Sequence, residues 1–171
     1  MTDNDNIWHT VPVCIETRTH ESFNCTIHQG SSLSGILNEW AIERGLILGN
    51  YDFYYNREQI EGIESPATLG MNSVDNIIEA LHKDELRIIV RDEERSKITG
   101  YIQRKNMMFH RLMNHYASII DVEKSNLVFT INGIQIFGHE HPWEFNFKHF
   151  DVVEVMPVEL YMSKNMHSLQ L

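Results

Sequence analysis

Apolar and polar residues alternate along two short segments near the start of the chain, a spacing that predicts β-strands. The alternating apolar positions are Val11, Val13 and Ile15 in residues 11–18, and Phe23, Cys25 and Ile27 in residues 21–28. The connection between the two segments is short and polar, which favours a hairpin. From residue 33 onward the apolar spacing changes to every third or fourth position, which is typical of one face of an α-helix.

The helical stripe is followed by segments that again predict strands. Its members are Leu33, Ile36, Leu37, Trp40 and Ala41. Ser31 or Ser32 is suited to cap the start of this helix, and Gly45 is suited to follow its end. Residues 52–56 and 77–81 predict two further strands, and residues 64–71 between them have the composition of a turn. The first half therefore has the order strand, strand, helix, strand, turn, strand.

The second half repeats this order after about 75 residues. Strands are predicted at residues 86–91, 98–104, 127–131 and 151–156, and a helix with Asn106 as its cap at residues 106–120. The apolar stripe of this helix consists of Phe109, Leu112, Met113, Tyr116 and Ile120. A hairpin, one crossing helix and further strands indicate an α+β fold. We predict two domains, residues 9–83 and residues 84–160, with residues 1–8 and 161–171 as flexible tails.

The charge of the chain restricts its partners. The 171 residues include 24 acidic and 14 basic residues, a formal net charge of -10. Residues 1–83 hold 12 acidic and 4 basic residues, whereas residues 84–171 hold 12 and 10. Proteins that bind nucleic acid through its phosphates usually carry the opposite sign. We therefore expect protein partners, neither direct binding to nucleic acid nor binding to a membrane, and different partners for the two halves.

Chemical motifs are scarce. The sequence has no phosphate-binding glycine loop, no nucleophile elbow and no zinc-protease helix, so we expect no enzymatic activity and no cofactor. His139-Glu140-His141 has a spacing seen among metal ligands, but it lacks a thiolate partner, and we predict no metal site. Cys14 and Cys25 lie in strand-like runs and are interpreted as reduced core residues. The polar start of the chain does not have the pattern of a signal peptide, which predicts an intracellular protein.

Both halves resemble SUMO from the helix onward. In the first half the matching positions are Phe53, Tyr55, Ile60, Ser65-Pro66, Leu69-Gly70-Met71, Asp75 and Ile77-Ile78-Glu79. In the second half they are Phe129, Ile131, Gly133, Ile136, Pro142, Glu144, Phe145 and Asp151-Val152-Val153-Glu154-Val155. Trp40 and Tyr116 occupy the position of the helix tyrosine of SUMO. The resemblance implies two tandem ubiquitin-like β-grasp domains, each with the order β-β-α-β-β.

The resemblance also implies a role. SUMO is conjugated through a C-terminal Gly-Gly, and no Gly-Gly occurs in this sequence, so we expect a domain pair that is not conjugated. It is similar to the SUMO-like domains of genome-maintenance adaptors, which implies a nuclear binding adaptor in the SUMO pathway or in DNA repair, with the cytoplasm as a second location. The alternative is a structural subunit of a larger complex that uses ubiquitin-like folds as interaction surfaces.

Two surfaces are candidates by this resemblance. The first docks on the SUMO-conjugating enzyme and corresponds to Asn132, Gly133 and Asp151, whereas the first half has Asn56, Arg57 and Asp75 at these positions. Asn-Gly is equally typical of a simple tight turn, and Asp151 of an ordinary acid at a strand edge.

The second surface is a groove between strand and helix that accepts an acidic peptide. It corresponds to Arg104, Lys105 and Arg111, a cluster that is also typical of a solvated helix end. The first half offers His28, Gln29 and Glu39 there, which do not suit an acidic peptide. The aromatic residues Trp143, Phe145, Phe147 and Phe150 are expected to cover the core under a loop, with an exposed patch as the alternative.

Overall fold

The computed structural model describes residues 9–19 and 21–167. The chain divides into two compact units, Met1–Lys83 and Asp84–Leu171, here called the first and second unit. Within the described residues it is an α+β protein with two five-stranded mixed sheets and three α-helices.

The first unit contains one sheet and one α-helix. Its elements are β1 (Thr10–Glu16), β2 (Ser22–His28), α1 (Ser34–Glu43), β3 (Tyr51–Tyr55), β4 (Glu58–Ile60) and β5 (Asn76–His82). The strand order is β2-β1-β5-β3-β4, with β1 and β5 parallel and the other neighbours antiparallel. The two central strands are therefore the first and the last in sequence.

The second unit repeats this topology. Its elements are β6 (Glu85–Asp92), β7 (Lys97–Arg104), α2 (His110–Ile119), β8 (Leu127–Ile131), β9 (Ile134–Ile136), β10 (Val152–Pro157) and α3 (Val158–His167). The strand order is β7-β6-β10-β8-β9, and β6 and β10 form the parallel pair. A short 3₁₀ helix, Pro142–Phe145, lies between β9 and β10.

The cores of the two units match position by position. In the parallel pairs Ile15 lies opposite Ile78 and Val90 opposite Val153, and all four side chains are fully buried. The helices bury the apolar stripes predicted from their spacing, with Trp40 and Tyr116 fully buried at their centres. The burial of these stripes supplies most of the stability of such short helices.

Helix α2 begins later than its predicted cap, because backbone carbonyls of another loop satisfy its first N–H groups, whereas at α1 the predicted cap Ser32 accepts a hydrogen bond from Ser34 N through its Oγ at 3.2 Å. At α2, Phe109 N donates to the Glu140 carbonyl at 3.0 Å and His110 N donates to the Gly138 carbonyl at 2.8 Å. Asn106 is therefore not the cap of α2. Gly138 has φ +103°, and a Cβ there would lie 3.0 Å from His110 Cα, so the close approach of this loop requires glycine.

Three elements differ from the prediction. β4 and β9 are only three residues long, which is too short for an alternating pattern to predict them. Each follows a two-residue turn that brings the chain back beside the preceding strand. Residues 161–171 were expected to be a flexible tail, but α3 continues to His167 and packs beside β8 and β10. Its apolar side chains remain largely exposed, which explains why its sequence lacks a clear stripe. Residues 1–8 and 168–171 lie outside the described residues.

Candidate protein-binding surfaces

The hairpin between β8 and β9 turns through Asn132 and Gly133. Ile131 lies opposite Ile134, so the loop has only these two residues. Both have positive φ, 51° and 79°, as in the turn type that matches the twist of a hairpin. Both are exposed. The pair is thus the tight turn that its sequence indicates, and it presents a backbone with little side-chain cover.

Asp151 lies immediately before β10 and is exposed. Its Oδ2 accepts a hydrogen bond from Lys148 N at 2.8 Å, which closes the turn before the strand. Its carbonyl accepts a hydrogen bond from Ile89 N at 3.0 Å. The carboxylate therefore has a local structural role in addition to any contact with a partner.

The sheet register brings these residues to one end of the second unit. β8 and β10 are antiparallel, with Thr130 opposite Glu154. The turn that follows β8 and the residue that precedes β10 therefore lie at the same end of this strand pair. We call Asn132, Gly133 and Asp151 the turn surface.

The residue of the first unit that is equivalent to Asp151 is not the one that the sequence predicts. The sequence pairs Asp151 with Asp75, but the structural equivalent is Asn76, because Asn72 N donates to Asn76 Oδ1 at 3.1 Å as Lys148 N does to Asp151. Asp75, with φ 53°, instead corresponds to Phe150, with φ 67°.

This error has a simple cause. Met71 and Phe147 are equivalent buried residues, and Ile78 and Val153 are equivalent residues of the last strands. The segment from Met71 to Ile78 is one residue longer than the segment from Phe147 to Val153. An alignment based on the two aspartates hides the insertion. Asn76 is also buried, with 1% of its surface exposed. The first unit consequently lacks an exposed acid at this position.

The basic cluster lies where β7 ends and α2 begins. Arg104 is the last residue of β7, Lys105 follows it, and Arg111 is the second residue of α2. All three are exposed. The linking segment turns sharply, since Met107 N donates to the Arg104 carbonyl at 3.0 Å. The three cations thus share one end of the unit.

Beside this cluster, β7 is an edge strand that lies against α2. The rings of Tyr101 on β7 and His115 on α2 pack edge to face with centroids 5.4 Å apart. Burial raises the pKa of the Tyr101 phenol, so it stays protonated at neutral pH. Among the described residues β7 pairs only with β6, which leaves its outer backbone groups available to an added strand.

The histidine-rich segment is organised by a carboxylate. Glu140 accepts hydrogen bonds from Phe137 N at 3.0 Å and from Gly138 N at 2.7 Å. Burial alone would raise the pKa of Glu140, but these N–H groups together hold it below its usual range. Glu64 has the same role in the first unit. In the part of the chain that the structure describes, no three His, Cys, Asp or Glu side chains are grouped to hold a metal ion.

The aromatic stretch divides between core and surface. Phe147 is buried and Phe145 packs against the core, as expected. Trp143 is 69% exposed, so the prediction that it covers the core is wrong. Its ring stacks on His141 with centroids 5.8 Å apart. Phe137 and Ile134, which the sequence did not single out, are 62% and 60% exposed.

The chain matches no protein-family model and has no significant match among curated proteins. Within residues 9–19 and 21–167, none of the helices has both the length and the apolar character required to cross a membrane.

Proposed function

We propose that the chain consists of two tandem ubiquitin-like β-grasp domains of the SUMO-like kind and acts as a nuclear binding adaptor without catalytic activity. The second unit binds the SUMO-conjugating enzyme through the turn surface, within the SUMO pathway or genome maintenance. Its β7 groove, with Arg104, Lys105 and Arg111 at one end, is the candidate site for an acidic peptide. The first unit binds a different partner.

The topology supports the fold part of this proposal. Each unit has a hairpin, one α-helix and further strands, with the first and last strands parallel at the centre of a five-stranded sheet. This is the arrangement expected for the β-grasp fold. The repeated order also supports two domains and not one larger domain.

The observation that carries the functional proposal is the turn surface itself. A glycine with φ 79° and an exposed aspartate lie at the same end of adjacent strands. The missing side chain permits close approach of a partner backbone, and the carboxylate can pair with a cation of the partner. The first unit has Arg57 and the buried Asn76 in their places, which excludes the same contacts there.

The test is titration calorimetry of the full chain with the SUMO-conjugating enzyme, using Asp151→Asn as the critical variant. Asparagine keeps an acceptor for Lys148 N, as Asn76 accepts from Asn72 N, so the variant removes the charge and preserves the turn. We expect the affinity of this variant for the enzyme to fall about tenfold, because a charge that pairs with a cation at the interface is lost. Asp151→Arg is expected to abolish binding, because it brings a cation against the cation of the enzyme.

The matched control is Asp121→Asn. Asp121 is exposed, has φ 54°, which asparagine tolerates, and precedes β8 at the end away from the turn surface. This variant has the same charge change and should bind like the unmodified chain. Equal affinity of the unmodified chain, Asp151→Asn and Asp121→Asn for the enzyme, or no binding by the unmodified chain, would contradict the proposal.

A structural subunit of a larger complex is the second candidate, and one observation favours it. Ile134, Phe137 and Trp143 are large, apolar and exposed, whereas the corresponding positions of the first unit are Glu58, Glu61 and Ala67. The fold therefore does not require apolar residues there, and exposed apolar groups often mark contact sites. Under this alternative, Asp151→Arg leaves the assembly of the chain into its complex unchanged.

A further inference from the structure

The first unit presents an unpaired strand edge of its own. Among the described residues β2 pairs only with β1, along the whole of its length from Ser22 to His28. The outer backbone N–H and C=O groups of an edge strand are suited to bind an extended segment. Apart from His28 at its end, the outward-facing side chains of β2 are uncharged: Ser22, Asn24 and Thr26.

Helix α1 runs back along this edge. Only five residues separate the end of β2 from the start of α1, so the helix begins near His28. Helix α1 packs against β2, and in the second unit the residues equivalent to Cys25 and Glu39, Tyr101 and His115, are in ring contact with centroids 5.4 Å apart, so Glu39 lies beside the middle of β2. In agreement with this placement, burial and then the Glu39 carboxylate raise the pKa of the Cys25 thiol. Glu43 lies one turn further along the same helix face, toward the beginning of β2. Both glutamates are exposed, and no basic residue occupies the last turn of α1.

The second unit has a different set of charges on the same scaffold. His115 and Ile119 take the positions of Glu39 and Glu43, and Tyr101 takes that of Cys25. Arg104 and Lys105 stand where the first unit has His28 and Gln29. The groove of the second unit therefore has basic residues at the end of β7. The groove of the first unit instead has acidic residues beside the middle and the beginning of β2.

We propose that the groove between β2 and α1 binds an extended basic segment of a partner protein, which adds to β2 as a strand and places Lys or Arg side chains against Glu39 and Glu43. The surrounding charge favours such a ligand, since residues 1–83 carry 12 acidic and only 4 basic residues. The same charge repels an acidic segment. This proposal assigns a ligand class to the first unit and does not depend on the enzyme contact proposed for the second.

The groove has a floor for the apolar part of such a segment. Phe23, Cys25 and Ile27 face the helix side of the sheet, and Cys25 is only half-buried. Cys25 has a smaller side chain than Tyr101 at the equivalent position, so less side-chain volume occupies this part of the first unit. In this proposal an aliphatic side chain of the ligand lies there, and Lys or Arg side chains two positions away, on the same face of the added strand, pair with the two glutamates.

The test uses the ¹⁵N-labelled full chain and two synthetic peptides with the same central run of Val and Ile. One peptide has Lys and Arg at its flanks, and the other has Glu. We expect the basic peptide to shift the amide signals of residues 22–28 and to bind at least about tenfold more tightly to the first unit than the acidic peptide does. Addition of salt should weaken its binding, because exposed charges are screened.

The variant Glu39→Lys/Glu43→Lys should reverse this preference, since both positions are exposed and the change leaves the core intact. Its matched control is Glu58→Lys/Glu61→Lys, which makes the same charge change on exposed residues near the opposite sheet edge, β4. The control should retain the preference for the basic peptide.

Three results would overturn the proposal. The first is that the basic peptide does not bind. The second is that it binds but shifts the amide signals of residues 97–104, or binds with equal affinity to Glu39→Lys/Glu43→Lys and to Glu58→Lys/Glu61→Lys. The third is sedimentation showing that β2 is covered by a second copy of this chain, whose β7 carries Lys97 and Arg104. Binding of the conjugating enzyme is measured on the same samples, so failure here is distinguishable from failure of the enzyme contact.

Discussion

Replacing Asp92 by alanine is expected to lower the free energy of unfolding of the second unit by about 3–5 kcal/mol. Asp92 is a carboxylate with none of its surface exposed. Its Oδ2 accepts hydrogen bonds from the Tyr116 hydroxyl at 2.8 Å and from Arg95 at 2.9 Å, and its Oδ1 accepts one from Arg95 N at 3.1 Å. Removal of the carboxylate leaves the buried Tyr116 hydroxyl without an acceptor and opens the turn after β6.

Chemical denaturation combined with amide hydrogen exchange measures this effect and locates it. Exchange should accelerate in residues 85–157 of the variant and not in residues 9–82, since the hydrogen bonds that the Asp92 carboxylate accepts all come from residues of the second unit. Tyr116→Phe removes one of the three hydrogen bonds and keeps the ion pair with Arg95, so it should cost about 1–3 kcal/mol. A loss below 1 kcal/mol for Asp92→Ala would show that the buried carboxylate is not stabilising.

The same carboxylate makes the second unit sensitive to acid. Burial alone would raise the pKa of Asp92, but the Tyr116 and Arg95 hydrogen bonds outweigh it and hold the pKa below its ordinary value. A lowered pKa in the folded state gives stability that is present above the pKa of the unfolded chain and is lost as the pH falls through the folded value. The unfolding free energy of the unmodified second unit should therefore fall in acid, while Asp92→Ala should show a shallower dependence. If the unfolding free energies of the two proteins depended on pH in the same way, Asp92 would not be the origin of the acid sensitivity.

The predictable parts of the fold are those that one residue pattern specifies. The helical stripes around Trp40 and Tyr116 are visible as spacing because one helix face must be apolar to be buried. The turn at Asn132 and Gly133 is visible because two consecutive left-handed residues favour asparagine and glycine. These local requirements are independent of the rest of the chain, which is why the sequence suffices for them.

The features that escaped prediction depend on contacts between distant segments. Asn106 looks like a helix cap, but carbonyls of the loop at Gly138 satisfy the helix start. The equivalence of Asp151 with Asn76 follows from hydrogen bonds and sheet register, whereas the sequence offers the more conspicuous Asp75. The placement of Glu39 near β2 also depends on the packing of α1 against a strand that is a separate element.

The core of the first unit should depend most strongly on Trp40. Its side chain is fully buried, and its ring packs edge to face on Tyr51 and Phe53 with centroids 5.1 and 5.4 Å apart. Trp40→Ala removes these contacts and leaves a cavity that the surrounding strands cannot close. We expect a loss of about 3–5 kcal/mol, a large fraction of the stability of a domain of this size.

Trp40→Phe separates packing from hydrogen bonding in this core. Among the described residues Trp40 Nε1 has no hydrogen-bond partner, so phenylalanine loses volume but no polar contact. It should therefore cost clearly less than alanine and leave the fold intact. The variants remove the tryptophan that reports on this core and leave Trp8 and Trp143, so denaturation is followed by circular dichroism and located by hydrogen exchange in residues 10–82. If phenylalanine were as costly as alanine, the indole N–H would have to be bonded, and the polar environment of this core would differ from the one described.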